Sequence, residues 1–282
     1  MNKQNDLQHF LLTRFNILLW KKDKNGDPVR TTKWLEHRFS LFERYCLPSV
    51  KGQTCQDFEW IVLFDSLTPE EFKSKIDDYK QICPQLIPVF VEPENGRHFA
   101  RIFREQILAR MRAKRVVTTY LDNDDALNVR FVEDLQNRAS LAENGTFINY
   151  NDGYQFYEDH KYMLKIHYPR NHFVSVVEDQ DDVKGIFGYG SHYYIDTIEG
   201  IRIENIKKQP MWCEVVHDKN MINDAYFIIG TKMIKDANRL RSDFSINETV
   251  NNSMLNYAFR FLPRYFKTFV RRGKDRLFGK KW

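Results

Sequence analysis

Asp122-Asn123-Asp124-Asp125 follows directly on a run of strand formers, Val116 to Leu121. Carboxylate oxygens are hard ligands, and three of them within four residues could hold Mg²⁺ or Mn²⁺. A calcium loop of the EF-hand type does not fit, because Ala126 and Leu127 stand where that pattern needs a ligand and then Gly. Taken alone, the tetrapeptide reads as readily as a polar turn whose Asp caps the next helix. Two more charges close apolar runs: Arg14 lies near the end of "FLLTRF" and Asp65 ends "EWIVLFD". These groups do chemistry together only if the chain brings their ends to one place.

The first half is patterned to do so. "FLLTRF", "EWIVLFD", "QLIPVFV" and "VVTTYL" read as four strands. Between them, Leu35, Phe39, Phe42 and Cys46 predict a helix from Thr32 that stops before Pro48. Thr68-Pro69-Glu70-Glu71 predicts a capping box opening a second helix, and Phe99, Ile102, Phe103 and Ile107 predict a third. Strand alternating with helix through short loops means a mostly parallel sheet flanked by helices. In such sheets ligands collect outside the carboxyl ends of the strands. Arg14, Asp65 and Asp122 to Asp125 all fall at that edge, which favours the ligand reading of the acidic run over the turn.

The second half changes character. After a helix near 129–141, "GTFINYNDGYQFYEDHKYMLKIHY" reads as two strands joined by a turn around Glu158 to Lys161. Its tyrosines suit a ligand cleft, because aromatic faces stack on flat or apolar ring surfaces and phenols hydrogen-bond. The last 26 residues, 257–282, carry nine Lys/Arg against the single acid Asp275, so the net charge of +5 belongs to the tail and the body is mildly acidic. Interleaved Phe and Arg there suit a peripheral contact with an anionic membrane surface. An acidic body without a recognition motif argues against nucleic acid as partner. The N-terminus has no apolar signal core and the four cysteines are scattered without metal-like or redox-like spacing. The expectation is a cytoplasmic protein with reduced thiols, working at the inner face of the membrane.

Several stretches together resemble a known family. "TRFN", "HRFSLFERYCLPSVKGQT", "FEWIVLFDSLTPEE", "YLDNDDAL" and "WCEVVHDKN" stand in the order and spacing of the rhamnosyltransferases, glycosyltransferases of GT-A fold, over most of residues 9–224. The resemblance implies an α/β, GT-A-like (Rossmann-like) fold in one domain, 1–256. A donor half (1–145) and a hairpin-containing acceptor half (146–256) precede a helical basic tail, 257–282. It implies metal-dependent, inverting transfer of a sugar, rhamnose by the family name, from a dTDP-, UDP- or GDP-sugar to a bacterial glycan or lipid-linked acceptor.

The same resemblance distributes roles. Thr13, Arg14 and Phe15 stand in the nucleotide-contacting loop, and Asp65 faces the nucleoside. Asp122, Asn123, Asp124 and Asp125 answer to the metal-binding DxD element, with Asp124 the favoured ligand and His217 a late third one. A divalent cation, Mn²⁺ or Mg²⁺, would offset the charge that builds on the departing diphosphate. Arg97, Arg101 and Arg104, spaced to share one helix face, would approach that diphosphate. Glu178 or Asp179 in "SVVED" would take the acceptor proton, with His192 a further possibility, and His192, Trp212 and Asn220 would meet the acceptor. A sugar-phosphate nucleotidyltransferase is the enzymatic rival, though "TRFNILLWKKDKNGDP" lacks its Gly-rich phosphate loop. A binding scaffold descended from an enzyme is the other, though the acidic cluster it would have lost is intact.

Overall fold

The computed structural model describes residues 6–22, 26, 28–217, 232–234, 236, 238–251 and 253, with 255, 266 and 270 as single positions. Four parallel strands carry the first half: β1 (Leu7–Arg14), β2 (Glu59–Asp65), β3 (Leu86–Val91) and β4 (Arg115–Tyr120). They join β6 (Thr146–Tyr150), β9 (Ser175–Asp179) and β10 (Arg202–Ile206) in a seven-stranded sheet of order β10-β6-β9-β4-β1-β2-β3. Only β9 runs against its neighbours, β4 and β6.

The central strands read as apolar runs because both sheet faces are covered. Leu11, Trp60, Val62 and Phe64 pack into one core, while Phe10, Leu12, Ile61 and Leu63 pack into another on the opposite face. Burying each such side chain contributes about 1.5–3 kcal/mol, so the strand ends that carry Arg14 and Asp65 are rigid. Pro88 cannot donate to a ladder, and β3 is accordingly an edge strand. The α/β, mostly parallel architecture expected from the alternation is present.

Two helix boundaries differ from expectation. Helix α1 (Thr32–Leu41) does not stop before Pro48 but widens into a π-turn (Phe42–Cys46) and resumes as α2 (Leu47–Lys51). The Leu47 amide reaches back five residues to the Phe42 carbonyl, and this wide turn admits the proline ring into the first turn of α2. The second difference is at α3 (Glu70–Ile82), where no side chain caps the start. The Thr68 hydroxyl instead donates to the Asp65 carbonyl at 2.6 Å and accepts from Asn16, bracing the end of β2. The Phe99 stripe forms α4 (Phe99–Arg110), and α5 (Phe131–Ala139) follows β5 (Ala126–Leu127).

A second sheet, order β12-β8-β7-β11-β5, stands beside the carboxyl edge of the first. Strands β7 (Asp152–Tyr157) and β8 (Tyr162–His167) form the expected hairpin, and Lys161 closes its turn in the left-handed region at φ 49°. Strand β11 (Trp212–Val216) pairs with β7 and with β5, directly after the acidic run. Strand β12 (Lys232–Met233) and helix α6 (Arg239–Phe244) complete the described elements. Asn220 and nearly all of the 257–282 tail lie outside the described residues. Among the described residues no helix is long and apolar enough to cross a membrane.

Candidate active site

The carboxyl ends of β1 and β4 and the second sheet enclose a cavity of about 620 Å³. Its floor is set by how the acidic loop is pinned. Cys46 donates to the Asp122 carbonyl, Ser49 accepts from the Leu127 amide, and the Gln53 side chain spans the Asn128 carbonyl and the Val132 amide. The "SV…QT" stretch is thus a clamp on the loop rather than a ligand contact. Asn123 donates to the Phe15 carbonyl at 2.6 Å, tying the loop to the end of β1.

The three aspartates have different surroundings. Asp122 is the open one: its carboxylate accepts from the Tyr120 hydroxyl at 2.8 and 2.9 Å and lies 3.7 Å from Arg14 at the cavity wall. Asp124 is buried, and its Oδ2 takes the Arg38 guanidinium at 2.6 Å and the His217 Nε2 at 2.9 Å. Burial opposes the Asp124 charge, but Arg38 and His217 outweigh it and hold the carboxyl below its ordinary range. Asp125 sits behind the cavity, with Oδ1 on the Val215 amide at 2.8 Å and Oδ2 on His172 at 2.7 Å. Burial pushes the Asp125 carboxyl upward, and the hydrogen bond and charge of Asp125 raise His172 against the burial of its ring.

Asp122, Asp125 and His172 each offer a ligand atom, all within 4.8 Å of one another. Hard oxygens with one imidazole suit Mg²⁺ or Mn²⁺. The open Asp122 carboxylate gives that donor set access to the cavity, so the residues present fit a divalent cation. Asp124 and His217 adjoin it as a pre-paired carboxylate and imidazole.

Cationic groups face the acids. The Arg14 guanidinium donates to the Tyr120 hydroxyl and lies 4.9 to 5.2 Å from the Phe99, Tyr120 and Phe187 rings. Its Nε is buried without a partner, which leaves a donor for an anionic ligand. Arg97 lines the same cavity from the 3₁₀ turn that precedes α4. The expected shared helix face does not form. Arg101 is solvated beside Glu105, and Arg104 donates to the Val183 carbonyl at 2.7 Å as a structural brace.

Other sequence candidates divide similarly. Phe15, Asn123, His192 and Trp212 line the cavity. Thr13 lies beneath it, fully buried, accepting from the Trp60 indole. Asp65 borders an adjoining pocket of about 390 Å³, where Arg30, held at φ 70°, reaches its Oδ2 at 2.6 Å. Arg30 and Asn16 line both spaces and join them. Trp212 is fixed by its indole bond to the Tyr150 carbonyl and by stacking on Phe173, 4.9 Å away at 12°. Burial, with His172 and Arg14 nearby, pushes His192 down to about 3, so its imidazole is neutral and a weak base.

Glu178 and Asp179 require a correction. Because β9 is antiparallel, Val116 pairs with Glu178 and Arg115 with Asp179, which puts both acids at the start of β4, the edge opposite the cavity. Glu178 is buried there, accepting from the Lys184 and Gly185 amides and the Tyr189 hydroxyl. Asp179 pairs with Arg115 at 3.1 Å. Neither can reach a substrate in the cavity.

Three cavity or cluster residues went unread in the sequence. Arg38 had a signal: it sits at the i+3 position from Leu35 on the apolar face of α1, where a charge needs a partner. Glu214 had one too, as a carboxylate inside the apolar run "WCEVV". His172 had none, since its partner Asp125 is 47 residues away.

No curated protein matches the chain. Among solved structures it is similar to S. aureus TarS 1–349 in complex with UDP, at 10% identity and TM-score 0.43, over 74% of this chain and 60% of that one. It is also similar to a protein from Desulfovibrio desulfuricans G20 described as "putative nucleotide-diphospho-sugar transferase", at 8% identity and TM-score 0.35, over 73% and 81% of the two chains. A third is the inositol-1-phosphate CTP transferase from T. maritima, at 10% identity and TM-score 0.35, over 73% and 89%. The chain thus spans about 60% of the length of the TarS chain it matches. In sequence, residues 8–227 match a family described as "Putative rhamnosyl transferase", and the chain belongs to that family.

Proposed function

We propose that the protein is a glycosyltransferase that binds a nucleotide-sugar donor in the cavity at the carboxyl edge of the seven-stranded sheet. The observation that carries this reading is the convergence of Arg14 and Arg97 with the open carboxylate of Asp122 in one cavity. That pairing suits a diphosphate: the guanidiniums meet its oxygens bidentately, and the carboxylate needs a cation between itself and the anion. Membership of the rhamnosyl transferase family supports the same chemistry.

In this reading the Asp65–Arg30 pocket takes the nucleoside end, through Asn16 and Arg30, which border both spaces. Asp122, Asp125 and His172, with Asp124 and His217 adjoining, would hold Mg²⁺ or Mn²⁺, which when bound offsets charge on the leaving diphosphate. Arg14 orients the diphosphate from a site walled by three aromatic rings, where a charged hydrogen bond is strong. Trp212 and Tyr193, which also line the cavity, suit the sugar and acceptor rings. Rhamnose as the sugar, dTDP, UDP or GDP as its carrier, inversion at the anomeric carbon and a glycan or lipid-linked acceptor complete the proposal. Both sheets line the one cavity, which supports a single catalytic unit, and the basic composition of 257–282 suits contact with an anionic membrane surface.

A thermal-shift panel of UDP, dTDP, GDP and CDP, each with and without Mn²⁺, tests the donor site. The expected result is stabilisation by one nucleotide, larger with the metal present. Silence across the panel would remove the proposal.

A further inference from the structure

With Glu178 and Asp179 on the far edge, the transfer lacks a proton acceptor, and the cavity supplies one. We propose that Glu214 is the general base that deprotonates the acceptor hydroxyl. This inference rests on the transferase reading of the cavity.

In β11, Trp212 and Glu214 are two residues apart and share a face, and both line the cavity; Cys213 and Val215 point the other way into a hydrophobic core. The Val215 amide is fixed to Asp125, so Glu214 is held beside the acidic loop. Its neighbour across the strand pair is Gln155, whose amide donates to Glu214 Oε2 at 2.6 Å.

Three carboxylates line the cavity, and two are committed. Asp122 is bonded to Tyr120 and faces Arg14; Asp124 is paired with Arg38 and His217. Glu214 is the one cavity carboxylate among the described residues with a neutral amide as its hydrogen-bond partner and no ion pair. A base needs that condition, because a cation on the carboxylate would lower its hold on a proton. Burial raises the Glu214 carboxyl above its ordinary range against the opposing pull of His172 and the Gln155 hydrogen bond, in the direction a base requires. Gln155 acts as a positioning residue that fixes the carboxylate plane.

The step balances simply. The acceptor hydroxyl gives its proton to the Glu214 carboxylate while its oxygen forms a bond to the anomeric carbon. The bond from that carbon to the diphosphate oxygen breaks, and its electron pair leaves with the nucleoside diphosphate.

The test uses the full chain as Glu214→Gln and Glu214→Ala. Binding is read with the UDP, dTDP, GDP and CDP panel, and turnover as nucleoside diphosphate release from UDP-glucose, dTDP-rhamnose and GDP-mannose. Glu214→Gln should bind the same nucleotide as wild type within about twofold and lose about 100-fold or more in kcat. Azide carries no proton to remove, so it should restore diphosphate release to Glu214→Ala. Wild-type turnover in Glu214→Gln, or loss of nucleotide binding together with turnover, or no azide effect, would overturn the assignment alone. A wild-type protein that binds none of the nucleotides and releases none would sink the transferase reading, and Glu214 with it.

Discussion

The two edges of the seven-stranded sheet carry the same residue types and use them differently. At the carboxyl edge of β1, β2 and β4, Asp65, Asp122 and Asp124 meet guanidiniums at the walls of open cavities. At the opposite edge Glu178 is enclosed, its carboxylate taken up by two backbone amides and a phenol. A carboxylate that meets only fixed donors holds structure together. One that shares a cavity wall with cations can exchange partners with a ligand. What sorts the acids is strand direction: a single antiparallel strand, β9, carries "SVVED" away from the site.

This contrast can be broken by mutation, and the largest effect falls on Asp124. Asp124→Ala leaves the Arg38 cation buried without its partner, and should cost about 3–5 kcal/mol in denaturant unfolding. Arg38→Ala should cost a similar amount, and the double mutant far less than the sum. Additive losses would mean that the pair is not coupled. Asp124 is therefore a poor probe of metal binding, since its loss is structural first.

Glu178→Ala comes next. It orphans two amides and the Tyr189 hydroxyl and should cost about 2–3 kcal/mol, with nucleotide affinity unchanged. A normal melt with lost turnover would return Glu178 to catalysis. Asp122→Asn reverses that profile. Its side chain is 32% exposed, so stability should fall by less than about 1 kcal/mol while Mn²⁺-dependent nucleotide binding is lost. The smallest contrast separates two arginines four residues apart. Arg97→Ala should weaken nucleotide binding several-fold, whereas Arg101→Ala, a solvated partner of Glu105, should change neither binding nor stability.

Much of the fold was legible because local rules and packing agree. Apolar runs in β1, β2 and β4 and the stripe of α4 announce a covered parallel sheet, and that sheet fixes where Arg14, Asp65 and the acidic run must end. What failed were features set by distant partners. Nothing in "HFVSVVED" reveals that β9 inserts antiparallel between β4 and β6, which carries Glu178 to the edge opposite the cavity. Pro48 reads as a stop because the π-turn that admits it depends on packing against the acidic loop. Arg38, His172 and Glu214 lie 86, 47 and 59 residues from Asp124, Asp125 and Gln155, the groups that give them meaning.

In the proposed reading the carboxyl-edge cavity, and not the far edge, binds the donor. Anomalous diffraction at the manganese edge, from crystals grown with Mn²⁺ and the nucleotide that raises the melt, tests it most directly. The expected result is a manganese peak at the Asp122 carboxylate, with diphosphate density reaching Arg14. Nucleotide density at any other surface, or a peak remote from Asp122, would contradict it.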